Sequence, residues 1–178
     1  MRAVKTRHFL QLVLLSALWG ASFLFIRVAS PVLGPNVMAA LRIGLATLTL
    51  MGIMRWAGEP WPWRHWRELL GLGTLTVAAP FLLYAWAALH LPAGYSSLLN
   101  TMAVPFGVIA AAWMKEDTLS ARKWAGCLCG FAGVALVVQL GPVEPTPALL
   151  TAAAACVTAS ACYGISTTWM KRATQRMS

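Results

Sequence analysis

Two arginines, Arg27 and Arg42, lie inside long apolar stretches of this 178-residue chain. A cation at the centre of a bilayer costs at least ~2.5 kcal/mol on insertion scales, so such a residue faces a cavity or a partner, or reaches back to water. Arg27 stands at the end of its stretch, where snorkelling to the interface is expected. Arg42 sits about five residues, or roughly 8 Å, inside the second stretch. No acidic residue lies in any apolar stretch to neutralise it. It either lines a polar path, where it would attract an anionic group, or snorkels as well. Asn100 is the most polar uncharged side chain in these stretches, and its amide must meet another helix, water or a solute. Ser97, Asn100, Thr101 and Val104 share one helical face, as do Ser16, Trp19, Gly20, Phe23 and Arg27. The second of these faces suits solute contact, and helix packing through Ser16 and Gly20 explains half of it equally well. Tyr84 and Trp86 add aromatic surface.

These groups suit binding better than bond-breaking. An intramembrane serine protease needs a serine in a strained, glycine-flanked setting and a histidine on a neighbouring helix. Gly94-Tyr-Ser-Ser and Gly20-Ala-Ser-Phe lack the flanking glycines, and His90 falls in a turn. Cys127 and Cys129 are two apart and point to different sides of a helix, so they are no metal pair; with Cys156 and Cys162 they read as small packing residues. No cofactor signature is present, and the expected catalytic and metal sets are empty.

Elements that would position these residues emerge from composition. Hydrophobic residues make up 59% of the chain and charged ones 11%, with a mean hydropathy of +0.68. A soluble domain carries about 25% charged residues. The apolar residues come in blocks of about 20, enough to cross ~30 Å of hydrocarbon. The expected fold is therefore all-α and membrane-integral, with six spans near Phe9–Ala29, Val37–Met54, Leu69–Leu89, Tyr95–Met114, Trp124–Leu140 and Leu149–Met170. The first 25 residues have the outline of a signal peptide, but with five more blocks following they are read as an uncleaved first helix. Pro80 and Pro105 fall within the third and fourth spans, where each removes a backbone hydrogen bond and should kink its helix. Gly126, Gly130 and Gly133 form a small-residue face on the fifth span, expected to pack against another helix or another subunit.

The net charge of +9 invites a nucleic-acid reading, which the positions of the charges oppose. Arg2, Lys5 and Arg7, then Arg55, Arg64 and Arg67, then Lys115, Arg122 and Lys123, and finally Lys171, Arg172 and Arg176 all fall on one side of the expected topology. Positive charge stays on the cytoplasmic face, so both termini are expected there. Trp56, Trp61, Trp63, Trp66, Trp113, Trp124 and Trp169 fall near the same helix ends, where indoles prefer the headgroup layer. The stretch from Trp56 to Trp66, with Pro60 and Pro62, is expected to lie along the interface. Glu116 and Asp117 read as surface charges beside Lys115.

One internal similarity stands out. Ser16-Ala-Leu-Trp-Gly-Ala-Ser22 is matched by Ser160-Ala-Cys-Tyr-Gly-Ile-Ser166, and at the same offset Arg27 meets Lys171 and Ala29 meets Ala173. A repeat that begins at the first and sixth spans has five helices. Five is odd, so the second copy would run the opposite way through the membrane, as in many secondary transporters.

Taken together, Trp19-Gly-Ala-Ser-Phe23, Ala39-Ala-Leu-Arg42, the run from Ala88 through Gly94-Tyr-Ser-Ser to Asn100, Pro105 and Lys115-Glu116, and the glycines of the fifth span resemble EamA-type members of the drug/metabolite transporter superfamily. The resemblance implies ten helices in two inverted five-helix repeats that move small metabolites or drugs across the cytoplasmic (inner) membrane, and it lends Glu116 weight as a structural anchor. On that reading, residues 9–140 form the first repeat and 147–178 the first helix and tail of a second. Trp19, Ser22, Arg42, Tyr84, Asn100 and Thr101 would then line the solute path. The implied partners are the lipid bilayer, a small-molecule substrate, and either four further helices or a second chain. A non-transporting half-protein or partner-dependent subunit is the competing expectation.

Overall fold

The computed structural model describes residues 6–58, 60, 63–140, 144 and 146–177; the side chains of 137–140 and 177 are not described. Arg2, Lys5, Trp61 and Pro62, on which parts of the charge and interface expectations rest, lie outside the described residues. Helix dominates, and no strand forms among the described residues. The chain runs as α1 (Thr6–Leu33), α2 (Pro35–Ala57), a 3₁₀ turn (Trp63–His65), α3 (Trp66–Gly73), a turn of π-helix (Thr74–Ala78), α4 (Ala79–Ala87), α5 (Ala93–Asn100), α6 (Ala103–Trp113), α7 (Ala121–Leu140) and α8 (Pro147–Met177). Five stretches are long and apolar enough to cross a membrane: α1, α2, Trp63–Ala87, Ala93–Trp113 and α8. The 20-residue α7 is the sixth apolar helix. In hydrocarbon a backbone must satisfy its own polar groups, so spans of this composition can only be helices.

Local chemistry sets the turns. Gly34 alone separates α1 from α2, with φ of 79°, a left-handed conformation that disfavours any side chain. Pro35 then opens α2 at a position that needs no N–H donor. The third span is not one smooth helix. A π turn over Thr74–Ala78 leads directly into Pro80, and Ala79 N–H bonds Thr74 O five residues back. Proline cannot donate to the carbonyl four residues earlier, and a wider turn is one way to accommodate that loss. The fourth span breaks at Thr101-Met102, shortly before Pro105, into α5 and α6. Pro80 and Pro105 are both buried.

The core forms where α8 meets α1, α4 and α5. Phe23, Tyr84, Leu91, Leu99, Leu149 and Cys156 belong to one buried cluster with Ala152, Ala153 and Ala159. Lipid is as apolar as leucine, so helix association here rests on close packing of small residues. Along α8, Leu149, Ala152, Ala153, Cys156, Ala159, Ser160 and Gly164 recur at three- and four-residue spacing and are all buried. At Gly164 the crossing is tightest: a Cβ there would lie 2.6 Å from Gly107 N and 2.7 Å from Phe106 C. The opposite side of the bundle is bare, with Val28 66% and Val32 83% exposed on α1.

The expected glycine face of α7 is only partly engaged. A Cβ at Gly130 would meet Met102 Cε at 3.7 Å, while at Gly126 or Gly133 it would meet nothing within 4 Å. The helix packs instead through Cys127, Phe131 and Val134, with the Phe131 ring edge-on to Phe106 at 5.3 Å. At about 100° per residue, Gly126 and Gly133 sit to the side of that stripe.

Charge gathers at one end. Arg172 Nε donates to Glu116 Oε1 at 2.6 Å and its Nη2 to Met114 O, while Lys171 Nζ lies 3.3 Å from Glu116 Oε2. Trp169 packs over Gly71 and donates to Glu68 Oε1 at 3.2 Å, and Arg176 lies 3.8 Å from the same oxygen. Glu68 and Glu116 thus clamp the end of α8 to the start of α3 and the end of α6. At the other end Arg27, expected to snorkel, donates Nη1 to Ala88 O just past α4. Since α1 ends beside the far end of the third span and α8 ends beside its start, α1 and α8 run in opposite directions.

Two outcomes follow from these contacts. Gly164→Ala should lower stability in detergent by about 1–3 kcal/mol, because backbone rather than a flexible side chain occupies the space; Gly20→Ala, which meets nothing within 4 Å, should leave the melting temperature of the same chain unchanged. The hydrogen bond from Arg172, aided by Lys171, holds the Glu116 carboxyl below its ordinary value. A carboxylate lowered in the folded state stabilises fully above the unfolded value, about 4.3, and loses that contribution as pH falls through the lowered one. Melting temperature measured from pH 7 to pH 3 should therefore fall less steeply below pH 4.5 in Glu116→Gln than in the parent.

Candidate functional site

A cavity of about 740 Å³ opens among α1, α2, the third and fourth spans and α8. Trp19, Ser22, Arg42, Tyr84 and Asn100 line it together, although they come from four separate helices. Thr101 does not. It is exposed at the break between α5 and α6, and its hydroxyl donates to Leu98 O at 2.7 Å. The interrupted helix turns the cavity side over to Asn100, Ala103 and Val104. Thr101, expected on the path with the others, is therefore the one of the six that does not line this cavity.

Arg42 is half-buried, with its guanidinium carbon 4.0 Å from the centroid of the Phe81 ring. This is a cation–π contact. Its Nη2 donates to Ser22 Oγ at 3.4 Å, a long bond. No salt bridge to Arg42 forms among the described residues, and none of the lining residues is acidic.

At the buried wall, Tyr84 Oη donates to Asn100 Oδ1 at 2.9 Å and lies 2.9 Å from Ser160 Oγ. Ser160 Oγ is also 2.9 Å from Leu99 O and from Cys156 O, so its single proton can serve only one acceptor at a time. Asn100 thus has a helix partner through its oxygen while still lining the cavity. Tyr84 is edge-on to Phe23 at 5.3 Å and stacked on Tyr163 at 6.2 Å. Trp86 is turned outward and packs against His90.

Sequence reasoning missed Phe81, Thr76, Tyr163, Ser166 and Thr167, all of which line the cavity. For three of these a signal existed. Tyr163 and Ser166 are the repeat counterparts of Trp19 and Ser22, and Thr167 is the counterpart of Phe23. Each partner of all three pairs lines the one cavity, contributed by helices that run in opposite directions. Phe81 and Thr76 carried no comparable mark beyond their place around Pro80.

Comparison with known proteins meets this geometry. Residues 8–139 match the EamA-like transporter family. The chain belongs to that family. Two similar proteins from Archaeoglobus fulgidus are each described as an uncharacterized transporter. One is 31% identical over 153 residues, covering 79% of this chain and 49% of the relative. The other is 23% identical over 133 residues, covering 75% and 48%. The chain spans about half the length of the curated relatives it matches. No solved structure gives a significant match. This EamA-like chain is thus a multi-pass membrane protein of a transporter family, and family membership points away from an enzyme.

The Tyr84 hydroxyl joins the third span, α5 and α8. In Tyr84→Phe the loss should be about 0.5–1.5 kcal/mol, the range for polar contacts between membrane helices. Thermal unfolding in detergent reads this directly, and Ser160→Ala combined with Tyr84→Phe should cost less than the sum of the two single changes.

Proposed function

We infer that this EamA-like protein carries small organic solutes across the cytoplasmic membrane by alternating access, with the cavity at Trp19, Arg42, Tyr84 and Asn100 as the solute site. The observation that carries the reading is the paired lining: Trp19 with Tyr163, Ser22 with Ser166 and Phe23 with Thr167, from antiparallel helices. A substrate site between inverted repeats has that arrangement, because each repeat presents the same face to one central volume. On this reading residues 9–140 are one repeat, 147–178 begin the second, and four further helices or a second chain cover the bare side of α1. The clusters of Lys and Arg face the cytoplasm, and so do both ends of this chain.

Rocking of one repeat against the other would move α8 relative to α6, and the Gly107–Gly164 crossing is a natural pivot. Two glycines meet there, with the Phe106 Cβ close against Gly164. The ion pairs of Glu68 and Glu116 would hold the cytoplasmic end closed in this conformation.

The test is uptake by proteoliposomes containing the product of the full reading frame, screened with metabolite and drug panels. Arg42→Ala and Asn100→Ala should each lower uptake roughly tenfold, a loss of about 1.4 kcal/mol, at unchanged folded yield. Uptake that survives both changes for every transported solute would remove this cavity from the path.

A further inference from the structure

Arg42 presents an unusual balance of charge. Its guanidinium has five N–H donors and no capacity to become neutral. One face is covered by Phe81, and one nitrogen makes the long contact with Ser22. The remaining donors lie in the plane of the group, along its edge, which is the geometry that receives a carboxylate or a phosphate oxygen pair. A membrane-embedded cation without a counter-charge is expensive, and the cavity wall supplies no acid.

Two hydroxyl-bearing residues, Ser22 and Thr76, are among those that line the cavity. Thr76 Oγ1 is buried without any hydrogen-bond partner, in the π turn that lines the cavity. The guanidinium can only donate, and the Ser22 hydroxyl, already accepting from it, has its own proton left to donate. The remaining lining combines aromatic and apolar side chains, Trp19 and Phe81 among them, with the uncharged polar groups of Tyr84, Asn100, Tyr163, Ser166 and Thr167, and holds no acid.

We propose that the ligand of this cavity is an organic anion with a single carboxylate or phosphodiester head on a flat apolar body, the head bound at Arg42 and Ser22. This deepens the transporter reading and rests on it for the cavity's role. A cationic ligand would find aromatic faces here, but it would be repelled by Arg42 across a low-dielectric space with no carboxylate to offset the repulsion. A neutral ligand would leave the guanidinium unpaired. One cation matches one negative charge, so a singly charged head fits better than a doubly charged one. The head could belong to a soluble solute or to an anionic lipid, because the cavity is open within the membrane.

Three probes of one shape separate the charge states: indole-3-acetate, indole-3-acetamide and tryptamine. Radiolabelled indole-3-acetate is bound to the protein in phosphatidylcholine nanodiscs at pH 7, with the amide and the amine as competitors. The acetate should compete at least tenfold better than the amide, and tryptamine worse than either. Arg42→Gln should bring acetate and amide within twofold of each other. Arg42→Lys should keep part of the preference, which separates loss of charge from loss of fold, and Ser22→Ala should weaken the acetate alone. Tryptamine competing as well as the acetate, an acetate-to-amide ratio untouched by Arg42→Gln, or no saturable binding would each overturn the proposal. Adding phosphatidylglycerol distinguishes the two sources of the head group: unchanged acetate binding supports a soluble anion, and displacement overturns that in favour of a lipid. Uptake of cations alone by the full-length product would sink this inference and leave transport standing. Arg42-dependent anion binding with no uptake of any solute would do the reverse.

Discussion

Where α6 crosses α8, Gly107 and Gly164 meet backbone to backbone, with the Phe106 Cβ close beside them. A Cβ on Gly164 would fall 2.6 Å from Gly107 N, so α8 can seat only because hydrogen occupies that position. In a bilayer this is the kind of contact that holds helices together, since burial of apolar surface earns little against lipid tails. Seating α8 so deeply brings Ser160 against Tyr84 and Leu99, buries Cys156, and turns Tyr163 toward the cavity. The wall opposite Trp19 and Ser22 exists because of that one close approach.

Charge is distributed so that each region has a distinct electrostatic character. At the basic end, Glu116 takes Arg172 and Lys171, Glu68 takes Arg176, and Asp117 takes Lys123 at 2.6 Å. In the cavity the sign is uncompensated, with Arg42 facing hydroxyls and rings. Exposed ion pairs contribute little individually, and those of Glu116 matter for where they lie rather than for their strength. They join the last turns of α8 to the end of α6, across the same helix pair that the two glycines bring together.

The prolines contribute irregularity where it is useful. The π turn before Pro80 places Thr76 and Phe81 on the cavity wall, and the break before Pro105 puts Asn100 on one side and Thr101 on the other. Even on a regular helix the two are about 100° apart, at opposite edges of the broad face on which spacing grouped them.

The all-helical architecture, the spans and the clustering of positive charge were legible in the residues, because the lack of water in a bilayer leaves the backbone little choice and twenty apolar residues carry that signal locally. Part of the cavity lining was legible too: Arg42 and Asn100 stand out by type alone in an apolar run, whereas Tyr163 and Ser166 were marked only as repeat counterparts of Trp19 and Ser22 and were not singled out. Which glycines meet a neighbour was not legible. Gly126, Gly130 and Gly133 have the spacing of a packing face, yet the intimate contact belongs to Gly107 and Gly164, fifty-seven positions apart in sequence. Spacing along one helix records which residues share a side; the partner that side meets depends on the crossing of two helices, and that is a property of the assembled bundle.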